Sequence, residues 1–318
     1  MAIAHEGSGM SDQTLRRLLN WTGVAVVLLL VAFSAIYYLG QRTSSGPTLT
    51  ERAVASAEKT VSDSPNDLTA RLKLAAAYRE NKQFEDATAQ YNEILKAKPT
   101  ARPALVGLGE TLLAKGDLDG ASAALTKVTG AKMTWAYETQ DPQLQKAFYD
   151  LGSITSQQGK LTQAEDYLAN ALRIDATDAD ALYLLGTVQL TSNDPGAAIA
   201  TLSQAIEFVP TGWAEPYTAL AAAYTKLGKK DEAAYANAMV DFAKGKNESA
   251  KATLSTLTSS AIKVKAMLGL GMITEKDGDR TAAKAWYQKV LAANPTDFSA
   301  QAGLGRVTDT AATTTGTK

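Results

Sequence analysis

The stretch ADALYLLGTVQLTSNDPGAAIATLSQAIEFVP, residues 179–210, decides the fold. Leu182, Leu185, Gly186 and Gln189 stand at i, i+3, i+4 and i+7, which places them on one face of a helix. After the polar turn Asn193-Asp194-Pro195, Ala198, Leu202 and Ala205 repeat that spacing on a second helix, and Pro210 closes the unit. Leu185 belongs to a series that runs the length of the chain: Leu74, Leu108, Leu151, Leu185, Leu220, Leu270 and Leu304, at intervals of 34, 43, 34, 35, 50 and 34 residues. Ala198 belongs to another: Ala87, Ala121, Ala164, Ala198, Ala233 and Ala283. A unit copied at a step near 34 residues cannot bury its apolar face alone, so the copies stack.

Other slots keep the same step. Three residues before the leucines from Leu108 to Leu270 stand Leu105, Phe148, Leu182, Tyr217 and Met267, and Arg71 breaks the pattern before Leu74. Directly after it come Ala75, Gly109, Gly152, Gly186, Ala221, Gly271 and Gly305. These small residues are expected to face the alanines of the second helix, letting two antiparallel helices approach closely. Four residues after the alanines come Tyr91, Leu125, Leu168, Leu202, Asn237 and Tyr287; seven after come Ile94, Val128, Ala171, Ala205, Val240 and Val290. Between the helices lie Gly116-Asp117, Gly159-Lys160, Gly228-Lys229 and Gly278-Asp279, suited to the left-handed conformation that ends a helix.

On Leu182, Leu185, Gly186, Ala198, Leu202 and Pro210, and again on Met267, Leu270, Gly271, Ala283, Tyr287 and Pro295, the chain resembles the tetratricopeptide repeat (TPR) superfamily. The resemblance implies an all-α, right-handed superhelical stack of helix–turn–helix repeats over residues 50–308, about six repeats plus capping helices. The grid has two faults. The longer interval of 43 implies an insertion near 130–144, bearing Trp135 and Tyr137 and ending at Asp141-Pro142, a plausible helix start. The interval of 50 implies an extra helix near 231–258: Asp231–Ala243 would close one repeat and open the next, with Ala250, Leu254 and Leu257 on the following helix. Glu51–Ser62, with Ala53 and Ala57 at second-helix spacing, reads as a half-repeat cap; Phe298–Thr308 reads as the opposite cap. The threonine-rich residues 309–318 are expected to form a disordered tail.

Ahead of the stack, Trp21–Leu39 holds 19 consecutive residues without a charge, with Trp21 and Tyr37-Tyr38 at its ends. About 20 apolar residues span a bilayer core, and aromatic residues favour its interfaces. The expected order is a tail at 1–15, one transmembrane anchor at 16–40 and a short linker at 41–49. A cleaved signal peptide is the alternative, with a weak small-residue site at Ala32-Phe33-Ser34; the apolar run continues past it, which favours an anchor. Arg16-Arg17 precede the span and Arg42 follows it, so the N-terminus is expected in the cytoplasm and the stack outside it.

Composition narrows the function. There is no cysteine, and the one histidine, His5, lies in the N-terminal tail, which removes thiol and imidazole chemistry from the stack. With 32 basic and 33 acidic residues and no basic stripe, the footprint of a nucleic-acid binder is missing. No cofactor motif occurs. In a helix-pair stack the first helices line the concave side. Their groove positions are Leu72 and Ala76, Val106 and Glu110, Tyr149 and Ser153, Tyr183 and Thr187, Thr218 and Ala222, Leu268 and Met272. Tyrosines beside small hydroxyl residues suit a peptide, although Tyr149 and Tyr183 could equally pack on adjacent repeats. Family members that clamp the acidic tails of heat-shock chaperones use Lys, Asn and Arg on these rows. That clamp is missing here.

The expected function is a membrane-anchored, non-enzymatic scaffold or assembly factor that holds a protein or peptide partner. Resemblance to membrane-anchored bacterial-type TPR proteins implies envelope biogenesis as its setting. The alternatives are a cytoplasm-facing adaptor that recruits soluble proteins to the membrane, and an envelope hydrolase using serine or carboxylate chemistry. Trp135 and Tyr137 form either an accessory contact for the partner or a plug at the irregular junction. Trp135→Ala separates the two: loss of partner binding with unchanged unfolding marks a contact, and a stability loss of about 3 kcal/mol or more marks a plug.

Overall fold

The computed structural model describes residues 28–37, 46–130, 141–209 and 211–308. Regular structure among them is wholly helical. The chain divides into two compact units, Met1–Gln83 and Phe84–Lys318, and the boundary falls inside the first expected repeat.

The first unit holds α1 (residues 28–37), α2 (Leu49–Asp63) and α3 (Leu68–Glu80). In α1 the large apolar side chains are exposed, Leu29 and Ile36 at 70%. Among the described residues no helix is long and apolar enough to cross a membrane. The expected span Trp21–Leu39 lies outside them except for α1, and the tail at 1–15 lies wholly outside. A capping box opens α2: Thr48 Oγ1 accepts the Glu51 N–H at 3.2 Å, and Glu51 Oε2 accepts the Thr48 N–H at 2.7 Å. Helix α2 packs on α3, to which Tyr78 ties it by donating to Glu58 at 2.7 Å. Its register differs from the expected one: Val54 is buried, Ala53 is exposed and Ala57 half-buried. The half-repeat turns toward α3 the larger apolar side chain, which removes more surface from water.

The second unit holds α4 (Phe84–Ala97), α5 (Arg102–Lys115), α6 (Leu118–Thr129), α7 (Pro142–Gln157), α8 (Leu161–Ile174), α9 (Ala179–Thr191) and α10 (Pro195–Phe208). It continues with α11 (Ala214–Lys226), α12 (Lys230–Ala243), α13 (Asn247–Thr256), α14 (Lys263–Lys276), α15 (Arg280–Ala293) and α16 (Phe298–Thr308). The principal pairs are α5 with α6, α7 with α8, α9 with α10, α11 with α12 and α14 with α15, and each second helix also packs on the next first helix. The expected turns are confirmed by Gly116, Gly159, Asn193, Gly228 and Gly278, all with positive φ. Aspartates then start the following helices. Asp141 accepts the N–H groups of Gln143 and Leu144 at 2.9 and 3.1 Å, with Pro142 in the first turn; Asp178 and Asp194 act alike on Ala181 and Ala197.

The small slots face first the large residue one turn beyond the expected alanines, and at Gly152 the Ala164 carbonyl as well, at 3.5 Å. A Cβ added at Gly186 would lie 2.5 Å from Leu202 Cγ; at Gly109 and Gly152 it would meet Leu125 and Leu168, each at 2.6 Å, and at Gly271 it would meet Tyr287 at 2.7 Å. Each glycine is therefore a hole and each leucine or tyrosine the knob that fills it. The knobs are fully buried, as are Ala121, Ala164, Ala198 and Ala283 beside them. Tyr91 fills the hole at Gly107 in the same way.

Helix α12 departs from the grid. Ala233, Ala236, Met239 and Phe242 are buried, whereas the expected Asn237 is exposed and Val240 half-buried. It packs against α11 before it and against α13 and α14 after it, so its buried face is rotated to serve both sides. Ala250, Leu254 and Leu257 are buried as the spacing requires. Trp135 and Tyr137 lie outside the described residues, as does the tail at 309–318.

Gly186→Leu is expected to destabilise by about 1–3 kcal/mol, because side-chain bulk is driven into Leu202. Gly116→Leu meets open space but must hold φ near +82°, so it is expected to cost about 1–2 kcal/mol through backbone strain alone. Urea titration of both variants checks the assignment. An unchanged Gly186→Leu midpoint contradicts the knob-and-hole register.

Candidate partner-binding groove

The first helices of successive pairs also touch one another, α5 with α7, α7 with α9 and α9 with α11. Their buried faces consume the leucine, upstream and small slots, and the residues between those slots are left on the row the helices share. Glu110, Tyr149, Ser153, Tyr183, Thr187, Leu268 and Met272 are half-buried there, and Thr218 and Ala222 are exposed. Leu72 and Ala76 are half-buried within the first unit. Val106 is a correction: only 4% exposed, it belongs to the core with Leu105, Leu125 and Phe148. The next first helix, α7, follows the insertion and closes over it, which removes it from the groove row.

Polar contacts fix this row. Glu110 pairs with Lys146 at 3.3 Å, and Lys146 also reaches Asp150 at 2.7 Å. Gln145 donates to Asp178, and Arg102 pairs with Asp141, each linking one first helix to the start of another. The Thr187 and Thr218 hydroxyls donate to the carbonyls of Leu184 and Ala214 at 2.7 and 3.0 Å, so their methyl groups and Cβ carbons form the free surface. Tyr183 meets Trp213 edge to face at 5.2 Å. Burial pushes the Tyr149 and Tyr183 hydroxyls up, followed by the negative charge of Asp180 on the first and Glu215 on the second. Both tyrosines are neutral hydrogen-bonding groups at physiological pH.

Three expected groove residues meet in one cavity. Tyr183, Thr218 and Ala222 line a space of about 380 Å³ together with Glu215 and Lys244. Met272, at the position equivalent to Ala222, lines a larger space of about 670 Å³ with Phe208, Phe242 and Phe298. Phe208 and Phe298 are 47% and 80% exposed, so the larger cavity presents uncovered aromatic surface. Sequence spacing alone misses Trp213, Phe208, Phe298 and Lys146. The signal for Trp213 and Phe208 was position: both flank the loop between α10 and α11, where the grid demands no apolar side chain. No group of His, Cys, Asp and Glu among the described residues could hold a metal ion.

Glu275, beside the larger cavity, accepts from Arg306 Nε and Nη2 at 2.6 and 2.9 Å and from the Tyr287 hydroxyl at 2.5 Å. The Arg306 guanidinium, then the tyrosine, holds its carboxyl below the usual carboxylate range. A depressed folded pKa contributes stability above the ordinary value, and that contribution is lost as pH falls through the folded value. Between about pH 5 and pH 3 the protein is therefore expected to lose more stability than its Glu275→Gln variant, measured by urea titration across that window.

A family model described as the tetratricopeptide repeat protein 21 C-terminal ARM domain matches residues 49–233, and a tetratricopeptide repeat model matches residues 235–298. The general transcriptional corepressor ssn6 of Schizosaccharomyces pombe is 26% identical over 125 residues, a stretch covering 39% of this chain and 11% of that protein. The structure of YrrB, a TPR protein with an unusual peptide-binding site, superposes with a TM-score of 0.51 at 19% identity and covers 62% of this chain and 97% of that one. The Cut9–Hcn1 hetero-tetramer of the APC/C gives a TM-score of 0.47 at 18% identity, covering 82% of this chain and 46% of that one. The relatives ssn6 and Cut9–Hcn1 are thus matched over less than two thirds of their length. With more than half of its residues in the first model, the chain belongs to the family of the tetratricopeptide repeat protein 21 C-terminal ARM domain, a repeat scaffold of a kind that is typically non-enzymatic.

Proposed function

We propose that the protein is a membrane-anchored scaffold or assembly factor that holds an extended segment of a partner protein along its first-helix row, with envelope biogenesis as its setting. TPR domains bind protein and peptide partners, and YrrB is one with a peptide-binding site. The observation that carries the proposal is the cavity bounded by Tyr183, Thr218 and Ala222. It combines an aromatic wall, a floor of small side chains and one charge of each sign, Glu215 and Lys244. Such a surface grips a peptide through broad apolar contact and fixes it through few polar groups. The uncovered Phe208 and Phe298 extend the apolar surface into the larger cavity.

Anchoring rests on the uncharged run Trp21–Leu39, and the outward orientation on the arginines at its ends. A reporter fused after Lys318 is expected to be active only on the extracytoplasmic side. Cytoplasmic activity would favour the adaptor that recruits soluble proteins. Photo-crosslinkers placed at Thr218 and Ala222 are expected to capture the same partner protein, and one at the exposed Gln288 on α15 is expected not to. Equal capture from all three positions, or none from Thr218 and Ala222, overturns groove binding. Thr218→Arg, at an exposed site, is expected to weaken partner binding at least ~10-fold by filling the cavity, without shifting the unfolding midpoint.

A further inference from the structure

At the first step of the groove row the protein supplies its own cation. Lys146 of α7 pairs with Glu110 of α5 at 3.3 Å and with Asp150 at 2.7 Å, one lysine between two carboxylates. Along the chain, Lys146, Asp180 and Glu215 occupy equivalent positions, 34 and 35 residues apart, each near the start of a first helix. Glu110, Ser153 and Thr187 are equivalent in the same way, at intervals of 43 and 34. The second and third steps thus keep the pairing positions but change their chemistry. A carboxylate stands where the lysine stood, and a hydroxyl where its partner stood. Among the described residues neither Asp180 nor Glu215 takes part in an ion pair.

Glu215 and Tyr183 line the same cavity, and the Gln145–Asp178 hydrogen bond brings the start of α9, which carries Asp180, against α7, which carries Tyr149. An aromatic face beside a carboxylate attracts a basic side chain, the ring through its quadrupole and the carboxylate through charge. The fold already shows this chemistry once, since Lys146 Nζ lies 5.5 Å from the centre of the Tyr149 ring. Lys146 is shared between Glu110 and Asp150, and Gln145 partners Asp178 without neutralising it. Tyr183 meets Trp213 edge to face, and Lys244 lines the same cavity as Glu215.

We propose that Asp180 with Tyr149, and Glu215 with Tyr183, take two basic side chains of one extended peptide. Packed helices lie about 8–10 Å apart, and an extended or polyproline chain advances about 3.1–3.4 Å per residue. Two lysines or arginines three residues apart therefore match two consecutive steps. The proposal rests on groove binding and names the chemistry of its ligand: a basic segment, the reverse of the acidic tails that other TPR clamps hold.

The test uses the full chain and a fluorescent, end-blocked Ala/Pro peptide carrying arginines at i and i+3, with anisotropy as the readout. Its controls are the same peptide with glutamates and one with adjacent arginines. Binding is expected only for the first, with affinity falling as salt rises. The double variant Asp180→Asn/Glu215→Gln is expected to weaken it at least ten-fold with an unchanged circular dichroism spectrum. Ser153→Lys leaves both carboxylates in place but supplies an internal cation opposite Asp180, as Lys146 does for Glu110, and is also expected to weaken binding. Equal or tighter binding of the glutamate peptide, or indifference to both variants, overturns the proposal. If the crosslinkers at Thr218 and Ala222 still capture a partner whose binding ignores these variants, the basic-ligand assignment falls and groove binding stands. No capture from Thr218 and Ala222 in the unaltered protein removes both.

Discussion

A large side chain seated against a glycine of the neighbouring helix sets the geometry on which the second unit depends. Leu125 over Gly109, Leu168 over Gly152, Leu202 over Gly186 and Tyr287 over Gly271 are one contact repeated. Filling the hole with even a methyl group brings atoms inside contact distance, and leaving the knob out opens a cavity in a fully buried layer. The contact recurs in four helix pairs, and where first helices touch one another the residues between its slots fall into rows. Packing does not require those residues, which leaves their chemistry free to vary.

That division of labour explains why the groove residues are chemically varied while the core residues are not. At the position equivalent to Tyr183 the successive helices carry Val106, Tyr149, Tyr183, Thr218 and Leu268. None of these fills a glycine hole, and apart from the buried Val106 the side chain can change without disturbing the pair beneath it. The aromatic residues gather on α7 and α9, and Trp213 extends them to the start of α11. The polar links that cross from helix to helix there, Glu110 to Lys146 and Gln145 to Asp178, are at helix ends and edges, clear of the apolar layer.

The fold was legible in the sequence to the extent that one contact generates it. Periodicity found the helices and the turns with positive φ, and the Asp141-Pro142 pair the start of α7, because each is a local requirement of a helix beginning or ending. The partner of each small slot was assigned to the alanine instead of the leucine or tyrosine beyond it, since spacing along one helix does not reveal the rotation of its neighbour. Val106 was lost to the core, Asn237 to the surface, and Ala53 gave way to Val54 wherever a helix met neighbours other than those of a regular repeat. The site was less legible. Tyr183, Thr218 and Ala222 could be read from the grid, whereas Trp213 and Phe208 sit beside a loop on which the grid is silent, and Lys146 gains its role only from residues on other helices.

Helix α12 gives the second unit something akin to a dislocation in a crystal. Up to α11 the first helices touch one another in turn; the one extra helix, α13, then adds half a period before the next first helix, α14. A partner whose own side chains recur at a constant spacing can stay in phase with the groove only as far as that fault. The cavity at Met272 straddles the fault, with Phe208 before α12, Phe242 on it and Phe298 after it, and the cavity at Tyr183 takes Lys244 from just beyond α12. Both cavities thus draw side chains from either side of the irregular helix, and neither could be assembled from an unbroken run of regular repeats.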